Sequence, residues 1–107
     1  MTNSQLKKFC KEWQKRLRLQ DWNVSVAFGI LEDSTGLTKI NPNFKVAKVI
    51  IDEEGNNELE ITLVHELLHL HADPFSQDLQ EKYKTNLEAM IELTARALVE
   101  AKYENNK

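Results

Sequence analysis

The strongest indication of the fold lies in the second half of the chain, where residues 59–74 read LEITLVHELLHLHADP. Asn57, just before this stretch, and Glu60, within it, form an Asn-x-x-Glu variant of the capping box, which predicts a helix beginning near Glu58. The leucine-rich sequence continues the helix to about Ala72. We expect the Asp-Pro pair that follows to end it, because the residue before a proline avoids the helical conformation.

Three segments upstream of this helix have the composition of β-strands. Residues 22–28 alternate large apolar with small or polar side chains, 37–40 form a second short segment, and 44–52 are rich in β-branched residues. Turn-forming sequences at 33–36 and 41–43 separate them. Short turns between successive strands predict a small, three- to four-stranded, mainly antiparallel sheet with one buried face.

Two further helices flank these elements. Apolar residues near the N-terminus recur at three- and four-residue steps, which predicts an amphipathic helix capped by Ser4. They are Leu6, Phe9, Cys10, Trp13 and Leu17. After a linker at residues 74–78, a last helix is predicted over 79–103. A chain of 107 residues fits one domain, so we expect residues 1–107 to form a single α+β domain.

Composition excludes several classes of function. The chain has 14 basic and 17 acidic side chains, which give a formal charge of −3. We therefore expect no nucleic-acid partner, because no net positive field would attract phosphates. No apolar run is long enough to cross a bilayer, so we expect no membrane partner. The N-terminal sequence lacks the pattern of a signal peptide and Cys10 is the single cysteine, which together predict a cytoplasmic protein.

The candidate chemistry lies in His65-Glu66-Leu67-Leu68-His69. Side chains four residues apart share one face of a helix, so His65 and His69 can bind one metal ion. Zinc accepts imidazole nitrogen at about 2.0–2.1 Å, which such a pair can reach without distortion. Glu66 points about a quarter-turn away, so it can act as the general base on a zinc-activated water without binding the metal itself.

A third protein ligand is needed, because a catalytic zinc site normally has three and keeps one position open for water. Two candidates lie on the last helix, Glu88 and Glu92. At about 100° per residue, Glu88 lies beside the apolar face of this helix, whereas Glu92 is turned further toward solvent. Glu88 is therefore the preferred ligand, and Glu92 is a candidate acceptor for the other ring N–H of a ligating histidine.

Three other polar side chains near the motif have open roles. His71 lies about 200° round the helix from His69, so an intact helix would direct it away from the metal. It would serve as an oxyanion donor only if the helix ended early. Asp73 shares the face of His69 and could orient that imidazole. Tyr83 is a candidate donor to a tetrahedral intermediate.

The sequence resembles the gluzincin branch of the zincin metallopeptidases, which pair His-Glu-x-x-His with a glutamate on a later helix. It is most similar to the minimal gluzincin-like peptidases of bacteria and their phages. The likeness covers most of the chain: an opening helix, a first strand with Asp21-Trp22-Asn23-Val24, a small sheet, the histidine motif, and the run Glu88-x-x-Ile91-x-x-x-Ala95-x-Ala97-Leu98 on the closing helix. It implies a zincin-like fold, zinc bound by both motif histidines and Glu88, and Glu66 as general base.

The chain departs from the family pattern on its last helix. Larger gluzincins have an aspartate four residues after the ligand glutamate, where this chain has Glu92. A small, repressor-cleaving type has a Glu-Ala-Asn-like run, of which Glu88-Ala89-Met90 matches the first two positions. A shift of one helical turn would make Glu92 the ligand, so that alternative stays open.

The expected function is peptide-bond hydrolysis by a zinc-dependent metallopeptidase acting on a peptide or protein. By the resemblance, the substrate would lie extended along the strand of residues 44–52 and pair with its main chain. The alternative is a non-catalytic protein-interaction domain in which zinc joins two helices and Asp73 or His71 completes a closed site. The number of protein ligands separates the two, since a catalytic site keeps one position open.

Overall fold

The structure is a computed structural model, which describes residues 1–54, 58–76 and 79–104. Three helices and a three-stranded sheet make up this part of the chain, and the α+β class is confirmed. In chain order the elements are α1 (Asn3–Arg16), β1 (Asn23–Gly29), β2 (Gly36–Asn41), β3 (Val46–Asp52), α2 (Leu59–Ser76) and α3 (Glu81–Glu104).

The strands form a mixed sheet in the order β1-β3-β2. β3 pairs parallel with β1 and antiparallel with β2, so the prediction of a mainly antiparallel sheet is wrong. Residues 30–35 carry the chain from β1 across one strand position to β2, and β3 then returns into the gap between them. Alternation of side chains determines which face is buried and says nothing about which strands are neighbours.

One face of the sheet is covered by α1 and α2. Val26, Val49 and Thr38 are opposite one another on neighbouring strands, and this face turns toward the helices. The buried core joins it to α1, α2 and α3, with Leu6, Trp13, Leu63, Leu67 and Ala95 among its members. β3 supplies three fully buried side chains, which are Ala47, Val49 and Ile51. The helix segment that carries the two histidines is therefore backed by tightly packed aliphatic side chains.

α1 is capped two residues earlier than expected. The cap is Thr2, whose hydroxyl accepts from the Gln5 N–H at 3.2 Å while the Gln5 side chain accepts from the Thr2 N–H at 2.8 Å. Ser4 lies inside the first turn, so the prediction that it caps the helix is wrong. The reciprocal arrangement needs a partner three residues on, which Thr2 has in Gln5 and Ser4 lacks.

α2 continues further than the sequence predicts. It extends to Ser76, with Pro74 in its last turn, so the expectation that it ends at Ala72 is wrong. A proline removes one main-chain hydrogen bond, and in α2 it does so within the last turn. The start, at Leu59, agrees with the prediction, whereas the proposed cap Asn57 lies outside the described residues.

α3 covers the other side of α2 and begins two residues later than predicted. Its buried residues, Ile91, Ala95 and Val99, follow a four-residue spacing that faces α2. Within the described residues, no helix combines the length and apolar character needed to cross a bilayer. The packing of α3 on α2 determines which glutamates of α3 reach the histidines.

Candidate metal centre

The two motif histidines lie on the face of α2 that turns toward α3. Their ring centroids are 5.3 Å apart and the ring planes are inclined at 52°. Both side chains are largely buried, with 16% exposed for His65 and 18% for His69. Helical spacing alone brings the two rings together, and burial limits the rotamers they can adopt.

Glu88 lies across both histidines. One carboxylate oxygen is 3.0 Å from His65 Nε2 and the other is 2.9 Å from His69 Nε2. One ligand atom from each of these residues falls within 4.8 Å of the others, and no fourth metal-binding side chain joins this group among the described residues. The structure thus brings together the three residues that the sequence predicts as ligands.

The other nitrogen of each imidazole faces a different carboxylate. His69 Nδ1 is 3.1 Å from Asp73 Oδ1, one helical turn along α2. His65 Nδ1 is 3.5 Å from Glu92 Oε2, and Arg96 Nε is 3.7 Å from the second oxygen of Glu92. Such outer carboxylates hold the ring orientation of ligating histidines. Glu92 therefore lies on the side of His65 away from Glu88, where a supporting acceptor belongs.

Glu66 lines the same cleft as the three-residue group and contacts β2. It is 8% exposed, and the Thr38 hydroxyl donates to its Oε1 at 2.7 Å. Gly36 lies against the same side chain, since a Cβ there would come within 2.8 Å of Glu66 Cγ. The carboxylate is thus held between α2 and β2, at the wall of the cleft that contains the histidines.

This cleft has a volume of about 550 Å³ and runs between β2 and the facing sides of α2 and α3. It is lined by the histidine pair and Glu66, and also by Ser34, Leu37 and Lys84. The three-residue group and the buried carboxylate therefore open onto one space of the size that binding sites commonly have.

The strand beside the cleft is β2, and the sequence-based placement of a substrate on residues 44–52 is wrong. β3 is the central strand, and both of its edges are occupied by β1 and β2. The Asp52 N–H donates to the Thr35 carbonyl, so the odd-numbered residues of β2 direct their main-chain groups at β3. The alternate residues, Gly36, Thr38 and Ile40, direct theirs to the outer edge.

Two other candidates lie away from the cleft. His71 Nε2 is 2.7 Å from the Leu17 carbonyl, and the ring lines a separate apolar cavity of about 410 Å³ between α2 and α3. Tyr83 is 48% exposed, and the Lys82 ammonium lies 4.9 Å from its ring centroid. Neither side chain is among the residues that line the cleft of the histidine pair.

Several cleft residues were not predicted from the sequence, among them Lys84, Thr38 and Gly36. Lys84 lies one turn before Glu88 on α3, and the four-residue spacing was a signal that could have found it. Thr38 and Gly36 come from β2, which is distant in sequence from the motif. No local pattern connects them to Glu66, because their contact depends on which strand forms the sheet edge.

Comparison of the chain with family models, with curated proteins and with solved structures gives no match. A functional assignment therefore depends on the chemistry of the site itself.

Proposed function

We propose that this chain is a zinc-dependent metallopeptidase with a gluzincin-like site on a zincin-like fold. The observation that carries the proposal is the convergence of His65, His69 and Glu88 beside the buried Glu66 in one cleft. Two imidazoles and a carboxylate are ligands that zinc prefers, and a separate carboxylate beside them provides a base.

The donor atoms of the site fit a cation. Each Nε2 faces an oxygen of Glu88, and each Nδ1 faces a further carboxylate, that of Asp73 or Glu92. A neutral imidazole has a single N–H, so a ring that donates outward from Nδ1 directs a lone pair inward from Nε2. Two such lone pairs and a carboxylate repel one another unless a positive charge lies between them. A zinc ion at this point satisfies all three groups.

The composition of the site favours catalysis over a structural role. A structural zinc site is closed by four protein ligands, and the alternative of an interaction domain required Asp73 or His71 as the fourth. His71 faces Leu17 instead, and Asp73 contacts the outward nitrogen of His69. Three ligands facing a cleft leave access for water and substrate.

The chain's own residues account for the proton transfers of peptide hydrolysis. Zinc, when bound, supplies the positive charge that acidifies water and polarises the scissile carbonyl. Glu66 takes the proton of the attacking water while the Thr38 hydroxyl donates to its Oε1. The same carboxyl then gives the proton to the departing amine as the C–N bond breaks.

The substrate in this proposal is an extended peptide segment along the outer edge of β2. The main-chain groups of Thr38 and Ile40 face that edge, where a peptide can add as a further strand. We also propose a cytoplasmic location. The single thiol, Cys10, is buried and unpaired, and burial raises its pKa to about 11, so it suits a reducing compartment.

The test of function is cleavage by the zinc-loaded chain and by Glu66→Gln. A library of quenched fluorescent peptides and denatured casein serve as probes. We expect Glu66→Gln to retain zinc and to lose about 10²–10⁴-fold in kcat, the usual contribution of a general base. Glu100→Gln, an exposed carboxylate on α3, is the matched control. Equal cleavage by Glu66→Gln would remove Glu66 from the mechanism, and zinc-loaded wild type without any cleavage would favour the interaction domain.

A further inference from the structure

Thr38, a residue of the edge strand, contacts Glu66 at two points. Its hydroxyl oxygen is 2.7 Å from Glu66 Oε1 and 3.3 Å from the main-chain carbonyl oxygen of the same residue. A hydroxyl has one proton to donate, and the shorter distance assigns it to the carboxylate. Because hydrogen bonds to a charged acceptor are strong and directional, this contact selects one orientation of the Glu66 side chain.

Gly36 also restricts the Glu66 side chain. A Cβ at this position would lie 2.8 Å from Glu66 Cγ, 3.0 Å from Glu66 Oε2 and 3.0 Å from Thr62 Cγ2. The first distance is shorter than real Cβ contacts and the other two are tighter than most, so a side chain at position 36 would displace Glu66 from its present rotamer. Gly36 and Thr38 are alternate residues of one strand, and both face α2.

We propose that Thr38 is a positioning residue for Glu66, and that Gly36 provides the space this position requires. The inference rests on the proposed peptidase function and deepens it. The main chain of β2 faces the cleft edge where the substrate would pair, while the side chain of Thr38 holds the base. The same strand, β2, would therefore align the substrate and orient the general base. This fixes the position of one relative to the other.

The first experiment tests the contact without any measurement of catalysis. Urea unfolding is compared for wild type, Thr38→Val, Glu66→Ala and the double variant, as full chains with equal zinc content. We expect Thr38→Val to lower the unfolding midpoint in the wild-type background, because it leaves a buried carboxylate oxygen without its donor. In the Glu66→Ala background the shift should be smaller. Equal shifts in the two backgrounds would mean that the two side chains do not interact.

The second experiment tests positioning during turnover. Thr38→Val is isosteric and lacks the hydroxyl, whereas Thr38→Ser keeps it. We expect Thr38→Val to lower kcat by about 10–100-fold with KM unchanged, as for a small displacement of a catalytic group, and Thr38→Ser to restore most of it. Gly36→Ala should lower kcat in the same way by displacing Glu66. Zinc content should be unchanged in all three variants.

Controls separate this inference from the proposed function. Thr94→Val removes a hydroxyl from an exposed site on α3 and should leave both kinetic constants unchanged. If wild type and Thr38→Val cleave peptides at the same kcat, Thr38 does not position the base, although the peptidase assignment stands. If zinc-loaded wild type cleaves nothing, the peptidase assignment fails and the positioning role fails with it, whatever the unfolding data show.

Discussion

At the scale of single residues, the two nitrogens of each imidazole have different partners. His65 and His69 direct Nε2 at Glu88 and Nδ1 at an outer carboxylate, so in the proposed zinc site each ring would bind the metal through Nε2 and be supported through Nδ1. Asp73 and Glu92 are therefore expected to influence metal affinity through ring orientation and basicity. Glu88 is expected to influence it through direct coordination.

This difference predicts the metal content of the variants Glu88→Ala and Glu92→Ala. Wild type should hold about one zinc per chain, since one three-ligand site is proposed. Glu88→Ala should lose the metal on purification, because two histidines remain. Glu92→Ala should retain it with an affinity reduced by about 10–100-fold, the usual effect of losing an outer acceptor. Elemental analysis of identically purified proteins, with a competition titration, measures both.

The opposite ranking would contradict the assignment of the ligands. If Glu92→Ala loses zinc and Glu88→Ala keeps it, α3 supplies its ligand from one turn further on, as the alternative sequence alignment implies. A wild type that stays metal-free in the presence of added zinc would remove the metal site, and the peptidase proposal with it.

At the scale of elements, helices were easier to predict than the sheet. The region of α2 carrying His65 and His69 follows from local sequence, since each contact that brings the two rings together spans a single helical turn. The preference for Glu88 over Glu92 also came from a helical period. The order β1-β3-β2 did not, because strand pairing depends on contacts between distant residues.

The same reason explains which parts of the site were missed. Thr38 contacts Glu66 because β2 is the edge strand next to α2. A wrong strand order therefore predicts the wrong contacts for the Glu66 side chain. The error in substrate placement has this origin as well: residues 44–52 have strong strand composition because β3 is central and buried. A strand with that composition is a poor candidate for a free edge.

The start of α1 gives a prediction with a built-in control. Thr2→Ala should lower the free energy of unfolding by about 1 kcal/mol, because it removes the acceptor for the Gln5 N–H. Ser4→Ala should have little effect, since Ser4 lies within the first turn and forms none of the cap hydrogen bonds. Urea denaturation of the two variants measures the difference. A larger loss for Ser4→Ala would show that the helix starts later than described.

At the scale of the whole molecule, one acidic side chain joins all three helices. Glu60 of α2 is 11% exposed and accepts from Trp13 of α1 at 2.8 Å and from Lys102 of α3 at 2.8 Å. The Tyr103 hydroxyl donates to its other oxygen. Lys102 also lies 4.8 Å from the ring centroid of Phe9, so its charge is held among aromatic rings.

These contacts make the stability of the protein depend on pH. Burial acts to raise the pKa of Glu60, but hydrogen bonds from Lys102, Tyr103 and Trp13 outweigh it and hold the pKa below the ordinary value of 4.5. A carboxyl with a lowered folded-state pKa stabilises the fold above its unfolded pKa. That contribution is lost as the pH falls from about the ordinary value through the folded one.

Glu60→Gln should therefore change stability in a pH-dependent way. At neutral pH we expect the variant to unfold more easily by roughly 1–3 kcal/mol, because hydrogen bonds to a charged acceptor are replaced by weaker ones. Below the folded-state pKa the difference from wild type should shrink, since wild-type Glu60 is then neutral as well. Urea unfolding across the acid range measures this, with Glu32→Gln in the exposed β1–β2 loop as the control. If the difference in unfolding free energy between wild type and Glu60→Gln stays constant with pH, the contacts of Glu60 with the three helices do not stabilise its charged form.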